Sequence, residues 1–127
     1  MIDHISIPVS DLLESASFYD EVLEPLGLSR KAERANTVGF GKNYPEFWLN
    51  FRPGMGKVPA GTGAHVCLRA PSKDAVTNFY ERALSLGGES DGAPGDRIAT
   101  VTTYFGAFIR DPDGNKIEVA TFPRAEA

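Results

Sequence analysis

The sequence predicts an α+β domain made of two βαβββ modules whose sheets form a curved mixed surface around a shared cavity. Three observations predict it. A histidine opens a strand-like run at His4 and again at His65, and each is followed at the same spacing by an aromatic pair, Phe18-Tyr19 and Phe79-Tyr80. The same offset of 61 relates Ile5 to Val66, Ile7 to Leu68, Leu23 to Leu84 and Gly27 to Gly88, the mark of a repeated supersecondary unit. Between the copies, residues 53–63 are dense in Gly and Pro, the composition of a connector.

In the first copy, Ile5 and Ile7 alternate with His4 and Ser6, which predicts a half-buried strand over residues 2–9. Ser10 and Asp11 can cap a helix over residues 12–23, with Leu13, Ala16, Phe18 or Tyr19, Val22 and Leu23 near one face. Pro25 and Gly27 end it. Short strands follow over residues 28–33, 37–41 and 47–51, the last two separated by a turn over 41–45. Module 1 therefore occupies residues 1–52 and the linker residues 53–63. Module 2, residues 64–123, repeats the order: a strand over 64–69 and a helix over 72–86 stopped by Gly87 and Gly88. A weak strand near Glu89, a Gly/Pro/Asp-rich loop over 91–96, a strand over about 98–109, the turn Asp111-Pro112-Asp113-Gly114 and a final strand over 116–122 complete it.

A chain of 127 residues suits one domain and is too short for two independent cores. Its 42% hydrophobic and 24% charged content is that of a globular protein. No apolar run approaches the roughly 20 residues that cross a bilayer. With 13 basic against 17 acidic residues, a net charge of -4 and no basic cluster, neither nucleic acid nor an anionic membrane is the expected partner. A small molecule is. Met1 leads straight into a strand-like run, leaving no room for a signal peptide, so a cytoplasmic location is expected. Cys67 is the only cysteine, which rules out an intrachain disulfide and agrees with a reducing compartment. Exposed sheet edges favour a homodimer.

Strand alternation selects the side chains that reach the cavity. If Ile5 and Ile7 pack under the first helix, His4 and Ser6 face the cavity. By the same rule His65, Cys67 and Arg69 face it from the second copy, and Lys116, Glu118 and Ala120 from the last strand. His4, His65 and Glu118 come from three strands yet share one face. Two imidazoles and a carboxylate make a competent site for a divalent ion, Fe, Mn, Ni, Co or Zn, with positions left for substrate or water. Such an ion can polarise a carbonyl or stabilise an enolate-like species, or with iron bind dioxygen. The candidate substrate-binding residues are Trp48 and Asn50 in the last strand of module 1, Cys67, Arg97, and Tyr104 and Phe105, of which one must face the cavity. Arg97 and Arg69 can hold a substrate carboxylate or phosphate through paired N–H donors. No side chain is assigned as the general base.

The opening His4-Ile5-Ser6-Ile7 with Asp11 and Phe18-Tyr19, the central Gly63-Ala64-His65-Val66, and the closing run from Asp111 to Glu118 resemble the vicinal oxygen chelate superfamily. That superfamily includes glyoxalase I, extradiol dioxygenases, fosfomycin resistance enzymes and bleomycin resistance proteins. The resemblance covers nearly the whole chain and is strongest to the glyoxalase-like subgroup. It implies paired βαβββ modules, a metal held on the sheet faces by His4, His65 and Glu118, and modules that often combine across two chains. Glyoxalase I carries a fourth ligand in the strand that here reads Phe47-Trp48-Leu49-Asn50, where this chain offers no carboxylate, His or Gln. The expected function is therefore a small metal-dependent enzyme acting on a compact substrate with adjacent oxygens. Lyase or isomerase chemistry is favoured over oxygen insertion, chiefly by the small size. The alternatives are a ligand-sequestering protein of the bleomycin-resistance type and a three-ligand enzyme of the dioxygenase or fosfomycin-resistance type.

Overall fold

Each copy folds as β-α-β-β-β in the computed structural model, which describes residues 1–123; residues 124–127 of the expected single domain lie outside the described residues. Module 1 contains β1 (Ile5–Val9), α1 (Leu12–Leu23), β2 (Ser29–Glu33), β3 (Thr37–Gly41) and β4 (Phe47–Phe51). Module 2 contains β5 (Val66–Arg69), α2 (Lys73–Ser85), β6 (Glu89–Ile98), β7 (Thr103–Arg110) and β8 (Lys116–Thr121). The strands form two four-stranded sheets, ordered β1-β4-β3-β2 and β5-β8-β7-β6. In each, the first strand runs parallel to the last and the remaining pairs are antiparallel.

The helices start where a side chain can satisfy an otherwise unpaired N–H. Asp11 accepts from the backbone N of Glu14 at 3.0 Å, and Ser72 from that of Ala75 at 3.1 Å. On α1 the buried positions are Ser15, Ala16, Phe18, Tyr19, Val22 and Leu23. Leu13, expected on that face, is 81% exposed. Tyr19 and Leu23 recur with Ala16 at helical spacing and define the stripe, and Leu13 falls to its solvent side. A short 3-10 turn, Glu24–Leu26, closes the helix at Gly27.

The expected loop at residues 91–96 is a correction. It is part of one long strand, β6, which continues to Ile98, and the expected strand over 98–109 is broken between β6 and β7. Strand β6 tolerates this composition because it is an edge. Its pairing with β7 slips twice, between Ser90 and Gly92 and between Gly92 and Gly95. Glycines at such bulges and a proline on an edge strand cost little, since no inner ladder is interrupted.

The helix-facing sides of both sheets merge into a single core containing Tyr19, Phe40, Phe47 and Leu49 from module 1 and Val76, Phe79, Ile109, Ile117 and Val119 from module 2. Polar ties add to it at the Asp111–Gly114 turn. Buried Tyr19 donates to Asp111 Oδ2 at 2.7 Å, Ser10 N to Asp113 Oδ2 at 3.1 Å, and Asn115 Nδ2 to the carbonyl of Pro8 at 2.8 Å. Across the helices, Arg82 Nη1 donates to the carbonyl of Glu21 and to the Glu24 carboxylate. The linker follows the same turn, with Val58 N donating to the carbonyl of Asp113 at 2.8 Å. Among the described residues no helix is long and apolar enough to cross a membrane.

Gly114 sits at φ 89°, and an added Cβ would lie 2.9 Å from the carbonyl oxygen of Val58. Gly114→Ala combines a left-handed backbone, costing about 1–2 kcal/mol, with that close contact. It is expected to lower the urea midpoint by the equivalent of about 2 kcal/mol or more. An unchanged midpoint would contradict this account of the turn.

Candidate functional site

The parallel pairing of β5 with β8 places Cys67 opposite Glu118, and the antiparallel pairing of β7 with β8 places Phe108 on its other side. Ile117 and Val119 are fully buried in the core, so alternation sends Glu118 to the opposite sheet face. There it remains only 6% exposed. His65 lies just before β5, with Nε2 at 3.2 Å from Glu118 Oε1 and Nδ1 at 3.2 Å from the carbonyl oxygen of Gly63. A carbonyl only accepts, so Nδ1 is the donor there, and Nε2 meets the carboxylate oxygen either as a second donor or with a cation between them. A ligating histidine is typically oriented in this way by a carbonyl behind it, and an ion held at about 2.1 Å from each atom fits the N···O separation. These two donors fit part of a divalent-metal site, which needs at least one further ligand.

Tyr104 completes the surroundings of the carboxylate, donating to Glu118 Oε2 at 2.6 Å. That hydrogen bond, followed by desolvation and the carboxylate charge, raises the Tyr104 pKa to about 12. Cys67 as a residue is exposed, yet the atoms gathered around its sulfur, followed by the Glu118 charge, push its pKa up to about 12. It is a thiol at neutral pH.

Phe108 forms the floor beside this group. Its ring lies 5.7 Å from that of His65, 5.0 Å from the Arg97 guanidinium and 4.8 Å from Lys116 Nζ. Lys116 and Arg110 share the Asp91 carboxylate at 3.1 and 3.2 Å. Arg69 stacks on Phe122, which in turn stacks on Tyr104. Phe105 points to the other face, under Lys73 and against the core, so Tyr104 is the one of the pair on the site face.

Module 1 supplies a different face. Trp48 pairs with Ser6 in β1 as Glu118 pairs with Cys67 in β5, so the indole holds the repeat-equivalent of the carboxylate position. It lies over Gly39, where a Cβ would come within 2.9 Å of the indole, and Arg34 stacks on it at 5.8 Å. Asn50 shares this face two positions along β4. His4 precedes β1, is exposed, and bonds through Nδ1 to Asp3 at 2.8 Å. A groove of about 490 Å³ has both His4 and His65 on its walls. Even so, among the described residues no three His, Cys, Asp or Glu side chains come close enough to hold a metal ion. The chain brings His65, Cys67, Tyr104 and Glu118 together and leaves His4 apart.

Sequence reasoning did not single out Phe108 or the Asp91–Arg110–Lys116 cluster. The alternation Tyr104-Gly106-Phe108 places Phe108 beside the candidates once the register is known. Asp91 carried no such signal, because it fell in a segment read as a loop.

The model of the Glyoxalase/Bleomycin resistance protein/Dioxygenase superfamily matches residues 1–119. A virulence protein of Salmonella typhimurium is 29% identical over 126 residues, covering 95% of this chain and 83% of its own. A glyoxalase/bleomycin resistance protein from Albidiferax ferrireducens superposes with a TM-score of 0.83 at 27% identity, covering 94% of this chain and 97% of its own. A fosfomycin resistance protein from Listeria monocytogenes shares the fold at a TM-score of 0.68 and 16% identity, covering 97% and 93%.

Proposed function

The chain belongs to the Glyoxalase/Bleomycin resistance protein/Dioxygenase superfamily, and from that premise we propose that it is a small metal-dependent enzyme whose site is completed by a second copy. His65 and Glu118 supply two ligands from one chain and His4 of the other copy supplies the third. The observation that carries this reading is the approach of His65 Nε2 to Glu118 Oε1 at 3.2 Å, with Gly63 and Tyr104 holding their outer atoms. A divalent ion bound there supplies Lewis acidity to a compact substrate with adjacent oxygens. Tyr104 fixes the carboxylate rotamer, and Phe108 and the Trp48 of the other copy form apolar walls. Lyase or isomerase chemistry remains the favoured reaction type. The half-exposed Trp48 and Phe108 support a second reading, in which an aromatic-lined face sequesters a ligand without turnover.

Mixing two inactive variants tests the shared site. His4→Ala and Glu118→Ala chains should each fail to retain metal alone, and each mixed dimer should regain one intact site. Elemental analysis after mild unfolding, mixing and refolding reads this out. Failure of the mixture to regain metal, with wild type carrying it, would place the third ligand within one chain. A wild type that takes up no ion would remove the enzyme reading.

A further inference from the structure

We propose that the open sheet face of module 2 binds a small oxyanion, a carboxylate or phosphonate, on Arg97, which makes small organic acids the substrate class of the proposed metal site. The inference rests on the reading of that site given above. Arg97 pairs with Tyr104 across β6 and β7. Its guanidinium is fixed by two backbone carbonyls: Nη2 donates to Ala93 at 2.7 Å and Nε to Gly106 at 3.3 Å. Carbonyls orient the group without neutralising it. Among the described residues Arg30, Arg82 and Arg110 each lie against a carboxylate, whereas Arg97 forms no ion pair and its Nη1 has no hydrogen-bond partner.

A cation held in place with an uncommitted N–H edge is preorganised for an oxyanion, since little side-chain entropy remains to be lost. The surrounding charge agrees. Arg69, Arg97, Arg110 and Lys116 share this sheet face with Glu89, Asp91 and Glu118, four cations against three carboxylates, in a chain whose net charge is -4. A locally positive face on an acidic protein attracts small anions selectively. Arg97 and His65 also lie against the same ring, at 5.0 and 5.7 Å from the Phe108 centroid. Arg97 is also joined to the proposed metal site through its pairing partner Tyr104, which donates to Glu118, so an acid held on Arg97 lies on the face that carries the carboxylate.

Isothermal titration of the full-length chain, first metal-free and then with Mn(II), tests this with lactate, methylphosphonate and the neutral ester methyl lactate. Both anions are expected to bind metal-free protein at least roughly tenfold more tightly than the ester, as charge-assisted bonds to arginine require. The tighter of the two identifies the oxyanion. Arg97→Gln should weaken both anions by about tenfold and leave the ester unchanged, while Arg69→Gln changes them less than about threefold. Because Arg97 also braces β6, Arg97→Lys serves where the Gln variant does not fold. With its melting temperature retained, it should lose about threefold or more, because it keeps the charge without the fork. Equal anion affinity in wild type and in the folded Arg97 variant, or no anion binding by wild type, overturns the proposal. Anion binding that depends on Arg97 in a chain taking up no metal would sink the enzyme reading, and the substrate assignment with it, and leave the oxyanion site standing.

Discussion

Glu118→Ala is expected to abolish divalent metal binding. Protein purified without chelators should carry roughly one ion per chain in the wild type, as a three-ligand site with open positions would, and none in the variant. The carboxylate is the buried member of the set and the atom toward which His65 Nε2 is directed. Its loss would remove the proposed ligand and also leave Tyr104 Oη without its acceptor. A thermal readout accompanies the elemental one. Metal at about a hundred times its dissociation constant should stabilise the wild type by about 2.7 kcal/mol, and the variant should show no such rise. Glu118→Gln, which keeps the shape without the charge, should bind much more weakly than wild type. Equal metal content in wild type and Glu118→Ala would mean that the ion sits elsewhere.

Asp111→Ala is the second large effect, and it acts on stability. The side chain accepts from Tyr19 Oη at 2.7 Å, Asn115 N at 2.8 Å, Asp113 N at 3.0 Å and Asn115 Nδ2 at 3.0 Å. Both Tyr19 and Asp111 are buried. Each donor left without a partner costs about 1–3 kcal/mol, so a total of about 3–5 kcal/mol is expected. That is a large share of the about 5–15 kcal/mol that holds a domain folded. Tyr19→Phe should cost less, about 1–2 kcal/mol, because Asp111 keeps its other donors.

Burial, and then the Asp111 charge, raise the Tyr19 pKa well above 10.0. The folded phenol therefore keeps its proton where the unfolded chain releases it. Its stabilising contribution is complete below the unfolded value and is lost as pH rises from there through the folded value, at about 1.4 kcal/mol per pH unit. Tyr104 and Cys67, each raised to about 12, add losses of the same sign. The specific readout is the difference between wild type and Tyr19→Phe in urea midpoints measured from neutral pH to above pH 10. Stability curves that stay parallel over that range would show that Tyr19 is not held protonated by the fold.

The offset that relates His4 to His65 was legible because each strand and helix in the repeat carries its own period, and pairs such as Ile5 with Val66 keep it. The face of Glu118 was legible for the same reason, since Ile117 and Val119 alternate around it. Residues 91–96 misled because Gly and Pro report backbone freedom, whereas an edge position in the sheet decides whether that freedom becomes a loop or a bulged strand. Asp111 carried more polarity than a turn needs, and its partner Tyr19 is far away in sequence. Only the packing of the two modules shows that its side chain is an acceptor for Tyr19 in the shared core. That His4 does not join His65 and Glu118 in a three-ligand group among the described residues was likewise invisible, because strand alternation gives the face of a side chain and not the relative placement of two sheets.

The pairing of Trp48 with Gly39, set beside that of Glu118 with Phe108, shows how the two copies fill equivalent ladder positions differently. In one copy a bulky ring fills the place of a missing side chain across the ladder. In the other an acidic group stands next to a bulky ring. Converting either arrangement into the other by single steps passes through a hole above Gly39 or through a collision there. The two halves thus differ in volume at this position, and exchanging their roles calls for paired replacements made together.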